Sequence, residues 1–193
     1  MDRREALKRT AMLMGGVVSA PAIMGVLKGC TARPDIDWKP EFLNPQQAAI
    51  VTAVAEIIIP RTDTPGAKDV GVPAFIDGIL KDVYAEADQK RFLDGLEAFN
   101  KQAKDVQGDD FLDLDEPDQE AFVREVHDAA VAAERGPNPP PRPFILMMKE
   151  LTMLGFFTSE AGATQVLQYA PVPGSYKGCI PLSEAGDGRT WAS

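Results

Sequence analysis

Two segments of helix length are apolar on nearly every side, and each is bounded by proline. Ala48 to Ile59 reads AAIVTAVAEIII, broken only by Thr52 and Glu56 and stopped by Pro60; Phe144 to Phe157 reads FILMMKELTMLGFF, follows Pro143 and is apolar at ten of fourteen positions. A surface helix needs only one apolar stripe, whereas a helix without a polar face has to be covered by other elements. At fourteen residues the second segment is too short to cross a bilayer, which takes roughly 17–25. It is therefore either a second core helix or a surface that a partner covers, and core is the simpler assignment. The expected fold class is all-α: a compact irregular bundle of about five to six helices with an extended C-terminal tail.

Helix boundaries can be read from the caps. Asn44-Pro45-Gln46-Gln47 supplies an N-cap, a proline at the first helical position and a glutamine three residues after the cap. These start signals decide for helix over strand at Ile57-Ile58-Ile59, and the helix they open, apolar on nearly every side, is expected to be the central buried one. Pro73 opens a second helix to about Tyr84, with Phe75, Ile76, Ile79, Leu80 and Val83 as its inward stripe. A third starts near Asp88 and aligns Phe92, Leu93, Leu96, Phe99 and Ala103. Asp115 or Glu116 with Pro117 begins a fourth, whose stripe is Phe122, Val123, Val126 and Ala130. The proline-rich run 136–143 cannot continue a helix and is expected to run extended. After Phe157, Thr158 or Ser159 caps a short helix through Leu167.

Charge excludes one class of partner. The 193 residues hold 20 Lys and Arg against 29 Asp and Glu, a net −9; residues 1–29 take five of the bases and only two of the acids, so the remaining body stands at −12. A body of that sign repels phosphate backbones, and no nucleic-acid partner is expected. Two cysteines do not make a disulfide framework, one histidine is too few for the common histidine-based zinc sites, and no Gly-rich phosphate loop or GxSxG elbow occurs. The acidic segment from Asp109 to Glu116 does not follow the calcium-loop order of an EF-hand. His127, between Glu125 and Asp128, has no nucleophile at a recognisable spacing, so a helix-surface or partly buried role is the simpler expectation. No catalytic, cofactor-binding or metal-ligating residue is assigned to this chain.

Residues 1–30 are laid out as an export signal: a basic start, 17 uncharged residues from Ala11 to Leu27, and a small residue before Cys30. Arg3-Arg4 followed by Leu7 and Lys8 resembles the twin-arginine consensus, the route of folded cargo, so the twin-arginine translocase is an expected partner. An uncleaved membrane helix is the competing assignment, disfavoured by Pro21 and three glycines. Leu27-Lys28-Gly29-Cys30 resembles a lipobox with Lys28 out of pattern; acylation of Cys30 would anchor the mature protein on a membrane in the periplasm. The expected organisation is a signal at 1–30, a tether at 31–43, a helical domain at 44–168 and a partner-binding tail at 169–193.

Two stretches outside the helices carry candidate contacts. The loop from Arg61 to Gly71, rich in turn formers, is either a simple helix-to-helix connection or a surface that meets a partner through Arg61, Asp63 and Lys68. The tail sets aromatic and apolar anchors, Tyr169, Tyr176 and Trp191, among the prolines Pro171, Pro173 and Pro181; it either lies along a partner or packs back on its own helices. Cys179 lacks an intrachain mate once Cys30 is acylated, which leaves a buried thiol or one available to another chain.

The strings IIPRTDTPGA, TMLGFF and YAPVPGSYKGC, with the twin-arginine start, resemble the small subunit, subunit three, of the gluconate 2-dehydrogenase family. The resemblance implies a non-catalytic partner of a flavin-dependent dehydrogenase of the glucose-methanol-choline type, which oxidises sugars or sugar acids and passes electrons to a cytochrome c. FAD and haem would then belong to partner subunits. The small subunit would act as export escort, tether and structural partner of a large subunit without a signal of its own. Arg3 and Arg4 match the export pair; Arg61, Asp63 and Pro65 fall in one matching string, and Tyr169, Pro171, Pro173, Tyr176 and Cys179 in the other. The lipobox at Cys30 is an addition that the family does not require. Two other classes stand against this: a stand-alone periplasmic lipoprotein with a small ligand in a helical pocket, and a hydrolase using His127 with acids such as Asp128.

Overall fold

The four other long helices pack around the second apolar segment. In a computed structural model that describes residues 36–193 except 139, 170–173, 176–177, 185, 187 and 193, it forms a helix, Phe144–Phe157, in contact with four others. In chain order these are α1 Pro45–Ile58, α2 Val72–Asp82, α3 Glu86–Gln107, α4 Glu116–Glu134 and α5 Phe144–Phe157. Short helical turns at Phe111–Asp113, Gly162–Val166 and Leu182–Glu184 complete the described structure, and no strand occurs among the described residues. The bundle is all-α, as expected. No helix among the described residues is long and apolar enough to cross a membrane.

The sequence places the first apolar helix at the centre; the structure gives that position to α5. Nine of its residues, Phe144 to Met148, Leu151, Thr152, Gly155 and Phe156, are buried, while Met153 and Leu154 face outward. Helix α1 is its main companion, with Ala48 to Thr52, Val54 and Ala55 buried. Its start is built as the sequence requires: the Asn44 side chain accepts from the Gln47 amide (2.9 Å), and the Gln47 side chain accepts from the Asn44 amide (3.0 Å).

Phenylalanines join the outer helices to this centre. Phe99 of α3 lies 5.0 Å from Phe111, 5.1 Å from Phe122 of α4 and 5.4 Å from Phe144 of α5, ring centroid to centroid, at tilted to edge-on angles. Such geometry sets positive ring edges against negative faces. The expected stripes of α3 and α4 supply Phe92, Leu96, Phe99, Ala103, Phe122 and Val123 to the core. Val83 departs from its expected inward place: α2 ends at Asp82, and Val83 stands 68 % exposed beyond the last turn. The acidic segment is structural in the turn before α4, where Asp110 accepts from the Asn100 side chain (3.1 Å) and from Lys104 (3.2 Å).

The described part of the lead-in, residues 36–43, has no helix or strand but lies on the core. Asp77 of α2, 2 % exposed, accepts the amides of Glu41 (2.7 Å), Phe42 (3.2 Å) and Leu43 (2.8 Å). Three successive N–H groups thereby satisfy a buried carboxylate that would otherwise be costly. Lys81 reinforces the attachment by donating to Glu41 (2.6 Å), which holds the Glu41 carboxyl below its ordinary value.

Phe99→Ala is expected to lower the unfolding free energy by about 3–5 kcal/mol, because three rings lose their shared neighbour. Asp77→Ala should cost about 2 kcal/mol or more through the orphaned amides. Urea unfolding followed by circular dichroism measures both.

Candidate functional site

The loop that joins α1 to α2, residues 59–71, is a fixed surface rather than a slack connection. Its base is closed by the Ala67 amide donating to the Ile59 carbonyl (2.8 Å), with Ala67 wholly buried, and the Val72 amide then donates to the Ala67 carbonyl (3.1 Å). Two carboxylates organise the interior. Glu56, in the last turn of α1, accepts the amides of Arg61 (3.1 Å) and Lys68 (2.8 Å), one on each side of the loop. Asp69 accepts the Gly66 amide (2.9 Å) and takes a two-pronged contact from the Arg61 guanidinium, whose Nε lies 2.6 Å from Oδ2.

Glu56 was visible in the sequence only as a polar interruption. A carboxylate in a helix's last turn faces the negative end of the helix dipole, so its presence there called for donors from elsewhere. Gly66 is dictated by the same group, since a Cβ at that position would meet Glu56 Oε1 at 2.3 Å and the Arg61 nitrogen at 2.7 Å. The Arg61 guanidinium raises no free charge to solvent: it holds the Asp69 carboxyl below the usual aspartate range, helped by the Gly66 amide, and is itself pushed up.

The candidates named from sequence therefore divide. Arg61 holds the loop together through Asp69 while leaving much of its own side chain exposed. Asp63 lies at the outer bend, where the Thr62 amide donates to the Thr64 carbonyl (3.0 Å). Asp63 and Lys68 are exposed, and neither side chain has a hydrogen bond or ion pair among the described residues; Pro65 is half-buried. These two charges are what the loop offers outward.

The second stretch begins at a backbone clasp. The Gln168 amide donates to the Thr190 carbonyl (2.9 Å) and the Ala192 amide to the Gln168 carbonyl (2.8 Å), which pairs Gln168 with Trp191 as a parallel bridge. The Gln168 side chain donates to the Arg189 carbonyl, and Arg189 reaches the carbonyls of Gln165 and Thr164. A side chain at Gly186 would run into the Gln168 amide, 2.3 Å from its oxygen. Tyr169 is 61 % exposed and Trp191 44 % exposed. Cys179 is a free thiol on the surface, which removes the buried alternative. Pro171, Pro173 and Tyr176 lie outside the described residues, as do Arg3, Arg4 and Cys30.

His127 borders a cleft of about 210 Å³ between α1, α4 and α5, floored by Ile57, Ile58, Val123 and Ile145. Its Nδ1 lies 3.1 Å from Asp128 and its Nε2 3.0 Å from Lys149 Nζ. Both ring nitrogens are thus engaged, and the residues lining the cleft carry neither hydroxyl nor thiol that could serve as a protein nucleophile.

Against known families, a model described as gluconate 2-dehydrogenase subunit 3 matches residues 45–174, from the first turn of α1 to beyond the clasp residue Gln168. The chain belongs to the gluconate 2-dehydrogenase subunit 3 family. It is by that membership related to an accessory subunit of a dehydrogenase complex. No curated protein and no solved structure matches it. The matched span contains α1 to α5 and the whole 59–71 loop, while residues 1–44, Arg3, Arg4 and Cys30 among them, lie outside it.

Because the folded-state value of Asp69 is lowered, its pairing with Arg61 contributes at any pH above the ordinary aspartate range. It is lost only as pH falls below that range and through the lowered value. Asp69→Asn should mimic the acid state at neutral pH. Amide exchange is expected to show reduced protection at Gly66 in the variant, with the protection of α5 unchanged.

Proposed function

We propose that this chain is the non-catalytic small subunit of a periplasmic flavin-dependent dehydrogenase of the glucose-methanol-choline type, acting on gluconate or a related sugar. In this reading the chain escorts a signal-less catalytic subunit through the twin-arginine translocase, tethers it to the membrane through Cys30 and braces it. FAD belongs to the catalytic subunit and haem to a partner cytochrome c. The family match supports the association with a dehydrogenase complex.

The observation that carries the bracing role is the 59–71 loop. Its backbone is held by Glu56 and Asp69 before any partner arrives, and it presents Asp63 and Lys68 with no partner of their own among the described residues. A surface ordered in advance loses less conformational entropy on association. Opposite charges a few residues apart favour one orientation of the partner over others. The clasped stretch from Tyr169 to Trp191 adds exposed aromatic area, a residue type enriched at interface hot spots.

Purification from membranes through a tag on this chain is expected to bring down a larger subunit with the visible absorption bands of flavin. With Arg3 and Arg4 both changed to Lys, that subunit should stay in the cytoplasm. Recovery of the chain alone and colourless, or export unchanged by the double substitution, would refute the assignment.

A further inference from the structure

We propose that the cleft between α1, α4 and α5 receives a short apolar segment of the dehydrogenase partner, and that a carboxylate on this segment pairs with Lys149. The inference rests on the accessory-subunit reading above and adds a docking site to it.

Local charge bookkeeping around the cleft singles out one group. Arg124 is answered by Glu120 at 2.6 Å. Glu150 is taken by Arg142 at 3.1 Å, and Asp128 faces His127 Nδ1 at 3.1 Å. Lys149, half-buried on α5, has only His127 Nε2 at 3.0 Å. An imidazole, in either tautomer, supplies no negative charge to an ammonium. Lys149 is thus a cation partly withdrawn from water with no anion against it among the described residues, in a body that carries a net −12 outside residues 1–29. Desolvation without an opposite charge is unfavourable, and a carboxylate supplied from outside removes the deficit.

The floor of the cleft states what should carry that carboxylate. Ile57, Ile58, Val123 and Ile145 form an apolar surface, and about 210 Å³ holds one or two side chains rather than a cofactor. The position points to the same partner as the loop. Ile57 and Ile58 share the last turn of α1 with Glu56, which fixes the loop, and Ile59 supplies the carbonyl that closes its base. The cleft and the outward charges of Asp63 and Lys68 therefore flank a single helix end. A rim charge at the edge of an apolar pocket sets register and excludes wrong partners.

The complex isolated from membranes through the tagged full chain is treated with a water-soluble carbodiimide, which joins an amine directly to a carboxylate in contact with it, and the linked peptides are mapped by mass. Lys149 should be joined to an Asp, Glu or C-terminal carboxylate of the partner subunit. Lys149→Glu should reduce the partner retained by about tenfold or more, with Lys149→Arg retaining it. Circular dichroism checks that both variants fold, and the cross-link in the unmodified complex decides the matter if Lys149→Glu does not. A complex in which other lysines are linked to the partner but Lys149 is not, or is linked only within its own chain, overturns the docking site and leaves the accessory role standing. Recovery of no partner with the unmodified chain overturns both.

Discussion

The architecture depends on the need to keep water off most of the surface of α5. A helix with one apolar stripe can lie on a surface, but α5 has buried residues in nearly every direction around its axis, so α1 to α4 have to surround it. Much of the remaining design follows from that demand. The amphipathic faces of α3 and α4 reach it through Phe99, Phe122 and the ring of Phe144, and α1 lies against it as a second helix nearly without a polar face. Outside this core lie the irregular segments, held against it by side chains anchored on the helices.

That division explains why the same polar residues recur as braces. Glu56 sits at the end of a buried helix, where a carboxylate is poorly placed with respect to the helix dipole, and two loop amides compensate it. Asp77 does the same for the lead-in. In each case a negative group anchored on a helix orders a neighbouring irregular segment by accepting backbone N–H groups. Irregular chain arranged in this way is inexpensive to present to a partner, because its conformation is already selected.

Local signals in the sequence were legible to the extent that their physics is local. The Asn44, Pro45 and Gln47 start of α1, its stop before Pro60, and the spacing of Phe92, Leu96, Phe99 and Ala103 depend on neighbours within four residues, and the structure shows each of them. The cap after α5 resolves to Ser159, whose hydroxyl accepts from the Gly162 amide at 3.1 Å, and the segment it begins is a wide helical turn at Gly162–Val166 rather than an ordinary helix. The central position of α5 was not legible, because two all-apolar helices look alike in periodicity and only packing ranks them. Nor were the partners of Asp77, which are 34 to 36 residues away along the chain. In the 59–71 loop, turn formers around Arg61 and Asp63 mark both as loop residues, but only the folded structure shows that Arg61 turns to Asp69 while Asp63 is left outward.

The amide cradle at Asp77 also fixes how force enters the molecule. A pull along the lead-in arrives at Glu41, Phe42 and Leu43 before it arrives at Asn44, and it is handed to the flank of α2. The first turn of α1 is shielded from being peeled open, so a protein hung by this segment would bear the load on its second helix and keep the platform at the far end of its first one undisturbed.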